Sequence, residues 1–198
     1  MSKSRIGIYS GSFDPVHLGH ITFALQAIEA AHLKKVYFLP ERQPVDKSNV
    51  EHFGHRVAMI KSAIKPHSKL ALLELDDRTF SVNKTLPKLK NKFSGSDLIF
   101  MVGSDKVKSM PSWPNIDKLL YTTDVLIGIR KGDTIEQITE DTLSWPKPPV
   151  NVLISYSPEV QSTDIRKSLE NGEPANGLLK SVAAYIRKNW LYISLKKF

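Results

Sequence analysis

"RIGIYSGSFDPVHLGHITFALQAIEAAHLKKVYFLP", residues 5–40, decides the fold. Two short apolar runs, "RIGIYS" and "KKVYFLP", flank a stretch in which Ile21, Ala24, Leu25 and Ile28 recur on one helical face. The pattern predicts a strand, a helix from about Gly19 to His32, and a second strand. The same alternation continues along the chain. After a polar loop, "HRVAMIKSAI" reads as a helix with Val57, Ile60 and Ile64 inward, then "LALLEL" as a strand and "SVNKTLPKLK" as a short helix. "DLIFMV", "DVLIGI" and "VNVLIS" are further strands, with "IDKLL" and "TIEQITED" as the helices between them. "STDIRKSLEN", stopping at Gly172, and "LLKSVAAYIRKNW", after Gly177, close the chain as helices.

The strands are apolar at nearly every position, as expected where helices cover both faces of a sheet. The fold class is therefore α/β, a doubly wound parallel sheet, and residues 1–198 are expected to form one domain. In such a sheet ligands bind beyond the carboxyl ends of the strands, where the strand order reverses. "GSFDPVHLGH", residues 11–20, is the first loop at that edge.

Composition narrows the partners. A net charge of +8 favours anions. The basic residues are scattered apart from the "LKKF" tail, so a small phosphorylated ligand is expected rather than nucleic acid. There is no cysteine, and no apolar run long enough to span a membrane or serve as a signal peptide. A cytoplasmic protein with no membrane partner is the expectation.

Within the first loop, Gly11 is free to take a positive φ, Pro15 fixes a turn and Gly19 permits close packing where the helix begins. A helix N-terminus favours phosphate. His17 and His20, three residues apart, would project to one point if the helix starts near Leu18. Imidazole donors there suit the charge that builds on a phosphate during nucleotidyl transfer. Two histidines at this spacing also suit a solvated loop or a metal site. Zinc would want a third ligand, and none stands nearby in the sequence.

The stretch resembles the H-x-G-H signature of the nucleotidyltransferase superfamily, whose histidines bind and stabilise nucleoside-triphosphate phosphates. "VQSTDIR", residues 160–166, resembles the I-S-S-T-x-I-R signature of its adenylyl-transferring members, matching at Ser162, Thr163, Ile165 and Arg166. "FMVGSDKVKSMPSWPNIDKLL", residues 100–120, is similar to the segment of bacterial nicotinate mononucleotide adenylyltransferases that carries an aspartate and, eight residues on, a ring-stacking tryptophan. Asp105 and Trp113 keep that spacing, and "QPVDKS" resembles the P-P-H-K loop of the same family, with Lys47 retained and Asp46 in place of histidine.

The resemblance runs from residue 5 to about 192. It implies a Rossmann-like nucleotidyltransferase fold and adenylyl transfer from ATP to nicotinate or nicotinamide mononucleotide, forming the dinucleotide and pyrophosphate in NAD biosynthesis. On that basis His17 and His20 are the catalytic candidates. Gly11, Ser12, Phe13, Ser162, Thr163 and Arg166 would hold ATP; Ser162 and Thr163 would also cap their helix. Lys47, Phe80, Ser81, Asp105 and Trp113 would hold the acceptor. Mg2+ is implied by the triphosphate rather than by protein ligands. The alternatives are another phosphorylated acceptor such as phosphopantetheine, or a non-catalytic nucleotide-binding protein.

One departure bears on the acceptor. In the family, main-chain N–H groups from the S-Y-T segment, here "TFS" at residues 79–81, and from the residue after the tryptophan hold the nicotinate carboxylate. That following residue is Pro114, which has no N–H. A charge-assisted bond worth about 1.5–3 kcal/mol is lost with it. The acidic residues Glu74, Asp76 and Asp77 are expected in a solvated turn, His32, His52, His55 and His67 in ordinary structural settings, and Trp145 and Trp190 in packing.

Overall fold

A computed structural model describes residues 3–45, 47, 49–130, 132–154 and 160–193. Asp46 and the basic tail lie outside the described residues. Strands β1 (Ser4–Gly11), β2 (Lys35–Pro40), β3 (Leu70–Leu72), β4 (Ser96–Gly103), β5 (Asp124–Ile129) and β6 (Asn151–Ile154) form one sheet. Its order is β3-β2-β1-β4-β5-β6, and every described pairing is parallel. The order reverses between β1 and β4, and the doubly wound sheet expected from the sequence is present.

Helices α1 (Leu18–Ala30), α2 (Phe53–Ile64), α3 (Thr85–Lys92), α4 (Ile116–Thr122), α5 (Ile135–Asp141), α6 (Ser162–Asn171) and α7 (Lys180–Lys188) make the connections and close the chain. Two cores result, one on each face. Phe23, Ala24 and Ile28 of α1, Met59 and Ile60 of α2, and Val182 and Ile186 of α7 pack with Tyr9, Val36 and Met101. On the other face Leu86 and Leu89 of α3, Leu119 of α4 and Ile138 of α5 pack with Ile8, Leu39, Phe100 and Ile127. The alternation of Ile8 and Tyr9 between these cores is the two-residue period of a strand buried on both sides. None of the helices among the described residues is long and apolar enough to cross a membrane.

Four local expectations are corrected. The strand at "LALLEL" pairs only over Leu70–Leu72; β3 is an edge strand, and beyond it the chain turns so that the Leu75 carbonyl accepts from Arg42 Nε. Helix α3 starts at Thr85 rather than Ser81, which puts Pro87 in the first turn, where no intrahelical N–H is required of it. Gly11 does not adopt positive φ; the left-handed residue of the first loop is Phe13, at φ 49°. Trp190 is 75% exposed and packs into neither core, whereas Trp145 is buried as expected. The "STDIR" helix does end at Gly172, whose φ of 74° provides the left-handed cap.

Candidate active site

The loop from β1 to α1 is built around buried rings. Phe13 is 2% exposed, lies edge-on to Tyr9 with centroids 5.2 Å apart, and stands 5.1 Å from the His20 ring. A Cβ at Gly11 would come 3.3 Å from the Phe13 ring, so glycine there makes room for the phenyl group. Phe13 is therefore a support for the loop, and only its main chain is left to meet a nucleotide.

His17 is the N-cap of α1 and His20 its third residue, so the helix begins where the sequence placed it. The imidazoles lie against one another at an interplanar angle of 35°, with centroids 3.7 Å apart. His20 Nδ1 accepts a hydrogen bond from the His17 main-chain N–H at 3.2 Å. That contact puts the proton of a neutral His20 on Nε2, free to donate to a ligand. Both rings line a pocket with Tyr9, Gly19, Phe23, Gly103, Gly128, Ile129, Arg130 and Val160. The pocket lies at the carboxyl edge where the strand order reverses.

Burial dominates the electrostatics of the pair. It lowers His17 to about 3, with the Arg130 charge adding to the effect. His20 is pushed well below its ordinary value by burial first, then by His17, Arg130 and Lys47. Near neutrality both rings are uncharged, set among the cations Arg130 and Lys47. Burial also raises the Tyr9 phenol, which keeps its proton.

Helix α6, from the far end of the sequence, clasps this loop. Ser162 Oγ donates to the Pro15 carbonyl at 3.1 Å, and Arg166 Nη1 donates to the Asp14 carbonyl at 2.6 Å while pairing with the Asp14 carboxylate at 3.7 Å. Ser162 therefore does not cap its own helix, whose N-cap is Gln161, and neither does Thr163, which is exposed and accepts from Arg166 Nη2 at 3.4 Å. Lys47 Nζ donates to Ser12 Oγ at 2.8 Å, bringing those two candidates together.

The remaining acceptor candidates sit along the same edge. Asp105, in a short 3-10 turn after β4, pairs with Arg130 Nε at 2.6 Å. The pair lies over Gly103, where any Cβ would collide with both side chains. Phe80 stacks on Phe100 with centroids 4.5 Å apart, and Phe100 meets Trp113 edge-on at 6.5 Å. Phe80 and Trp113 are half-buried. Ser81 Oγ accepts from the Lys84 N–H at 3.4 Å, and the Ser81 N–H donates to Thr85 Oγ1, so Ser81 is turned towards α3.

The cytidylyltransferase-like family profile matches residues 8–168. A probable nicotinate-nucleotide adenylyltransferase of Coprothermobacter proteolyticus is 33% identical, with 97% of each chain covered. The nicotinate-nucleotide adenylyltransferase of Bacillus subtilis is 32% identical over 96% of this chain and 99% of its own. The chain belongs to the nicotinate-nucleotide adenylyltransferase family. The fold agrees: a Plasmodium falciparum nicotinic acid mononucleotide adenylyltransferase, solved with NaAD, superposes with a TM-score of 0.80 at 24% identity, covering 96% of this chain and 97% of that one.

Three residues of this family member were not singled out by the sequence. Arg130 directly follows β5 and lines the histidine pocket; its position just past an apolar strand, at the edge where site loops begin, was the available signal. Arg56 on α2 is fully buried and donates from Nε, Nη1 and Nη2 to the carbonyls of Glu51, Ser12 and Arg42. Tyr192 reaches back to donate to Asp14 Oδ1 at 2.6 Å. Among the other histidines and acids, His52 and His55 hold ordinary structural settings, as expected. His52 caps α2, His55 bonds the Tyr185 hydroxyl, and Glu74, Asp76 and Asp77 pair with Lys61, Arg42 and Lys88. Asp77, however, is largely buried beneath its lysine.

Proposed function

We propose that the chain is an enzyme that transfers the adenylyl group of ATP to the 5′-phosphate of nicotinate or nicotinamide mononucleotide, a step of NAD biosynthesis. The observation that carries this reading is the His17–His20 pair, uncharged and set among cations at the strand-order reversal of a chain belonging to this family. An oxygen of the mononucleotide 5′-phosphate attacks the α-phosphorus of ATP. The new P–O bond forms as the bond to the bridging oxygen breaks, and pyrophosphate leaves with that electron pair. Little covalent chemistry falls to the protein, so rate comes from positioning and charge stabilisation.

In this reading His20 donates from Nε2 to the triphosphate oxygens that gain charge, with His17 beside it. Main-chain groups of Gly11, Ser12 and Phe13 face the phosphates, and Ser162 and Arg166 hold that loop in place. Lys47 and Arg130 balance the negative charge. Asp105 accepts from ribose hydroxyls, and Trp113 with Phe80 offers flat surface to the pyridine. No group of three or more His, Cys, Asp or Glu among the described residues could hold a metal ion. Magnesium would then enter on the triphosphate, where it neutralises phosphate charge. In this reading residues 1–198 form one domain working in the cytoplasm, with which the lack of cysteine agrees.

The test is pyrophosphate release from Mg-ATP with nicotinate mononucleotide, nicotinamide mononucleotide and phosphopantetheine in parallel. Release with a pyridine mononucleotide and not with phosphopantetheine is expected. Release only with phosphopantetheine, or with none, would contradict the proposal.

A further inference from the structure

We propose that Tyr192, in the turn that follows α7, is a positioning residue for adenylyl transfer: its hydroxyl holds Asp14, and through Asp14 the loop that carries His17 and His20. This rests on the adenylyl-transfer reading and adds to it a residue that acts through another.

Asp14 stands three residues before His17 and is 1% exposed. A buried carboxylate persists only where hydrogen bonds and opposite charge satisfy it. The partners of Asp14 come from three distant segments. Its Oδ1 accepts from the Tyr192 hydroxyl at 2.6 Å and from the N–H of Glu51, ahead of α2, at 3.2 Å. Its Oδ2 faces Arg166 Nη1 of α6 at 3.7 Å, beyond hydrogen-bond reach. The Tyr192 bond is the shortest of these contacts, and a hydroxyl on a carboxylate is a strong one. Burial first, and the Asp14 charge next, raise the Tyr192 phenol, so it keeps the proton it donates.

The turn that delivers this hydroxyl is held against its own preference. Trp190 at φ 54° and Tyr192 at φ 57° both have left-handed backbone. Neither is glycine, so that conformation persists only where surrounding contacts fix it. Those contacts are Leu191, buried in the same core as Tyr9 and Phe13, and the Tyr192 hydroxyl on Asp14. The turn leaves the Trp190 indole in solvent while it seats Tyr192 against the loop. At the other end of α7 the Gly177 carbonyl accepts from the Leu18 N–H at 2.9 Å. His17 therefore lies between two ties to the last part of the chain, Asp14 to Tyr192 and Leu18 to Gly177. Because His20 Nδ1 takes the His17 N–H, a shift of the loop disturbs both imidazoles. Misplaced donors cost rate more than binding when they act on charge that grows in the transition state.

The experiment measures kcat and KM with Mg-ATP and nicotinate or nicotinamide mononucleotide in the wild type, Tyr192→Phe and Tyr185→Phe, with thermal melts to establish folding. Tyr185→Phe removes a comparable hydroxyl from α7 itself, the one bonded to His55 rather than to the loop. Tyr192→Phe should lower kcat by about tenfold or more with each KM within about threefold of wild type, and Tyr185→Phe should leave kcat within about twofold. Amide hydrogen exchange gives a readout independent of turnover. In Tyr192→Phe the His17 and Glu51 amides should exchange about tenfold faster relative to the Met59 and Ile60 amides of α2, and in Tyr185→Phe they should not. An unmoved kcat in folded Tyr192→Phe, an equal fall in both variants, or loop amides that keep their wild-type exchange would overturn the inference while adenylyl transfer stands. A wild type that turns over neither mononucleotide would overturn the adenylyl-transfer reading and the kinetic half of the inference, and the exchange comparison would then decide whether Tyr192 holds the loop.

Discussion

A buried histidine that must stay neutral is a liability in acid, and this protein buries two in contact. His17 is lowered to about 3 by burial and by Arg130, and His20 is lowered by burial, His17, Arg130 and Lys47. The unfolded chain takes up a proton on each near pH 6.5, while the folded ligand-free chain refuses it until far lower pH. The unfolded state therefore binds more protons through this window. Stability must fall as pH drops from about 6.5 towards 3, by up to about 1.4 kcal/mol per pH unit for each histidine. Melting temperatures of the ligand-free wild type and His17→Ala between pH 7 and 4 check this. The wild-type curve should fall more steeply, and parallel curves would contradict the burial argument. Much of this pair was legible in the sequence, because the i, i+3 spacing and the glycine-flanked turn depend on local geometry alone. Their charge state was not, because it comes from Tyr9, Phe13, Phe23 and Arg130 closing around the rings.

At the scale of elements, the loop that carries the histidine pair is held from two sides by helices distant in sequence. From α2, Arg56 gathers three loop carbonyls; from α6, Ser162 and Arg166 take the carbonyls of Pro15 and Asp14. Arg56→Met would keep the apolar bulk and leave three carbonyls without a donor. About 3–5 kcal/mol of stability should be lost, the cost of breaking a buried charged network, and the melting temperature should fall by roughly 6–20 °C. A denaturant or thermal melt measures it, and a change under about 1 kcal/mol would show the carbonyls finding other partners. Apolar spacing identified the inward face of α2 through Val57, Ile60 and Ile64, and gave no reason to add Arg56 to it. A periodicity argument cannot see three carbonyls converging from loops that begin after β1 and β2. The same limit explains Ser162: its place at a helix start suggested a cap, while its hydroxyl instead donates to the Pro15 carbonyl of the neighbouring loop.

At the scale of the molecule, the strand–helix alternation and the apolar strands were enough to define the doubly wound sheet and its binding edge. The two sequence signatures, near residues 17 and 166, come together in space, where Arg166 donates to the Asp14 carbonyl of the first loop. Missing from the sequence was the electrostatic layout along that edge: Arg130 locked to Asp105, and Glu41 bound to the Phe80 N–H. An adenylyltransferase of this design should depend on His20 Nε2–H for rate and hardly at all for folding. The most direct test is kcat for dinucleotide formation from Mg-ATP and a pyridine mononucleotide in the wild type and in His20→Ala, with melts of both. Loss of a preorganised donor predicts a fall in kcat of about 10²–10³-fold with the fold intact. A folded His20→Ala enzyme turning over near the wild-type rate would contradict it.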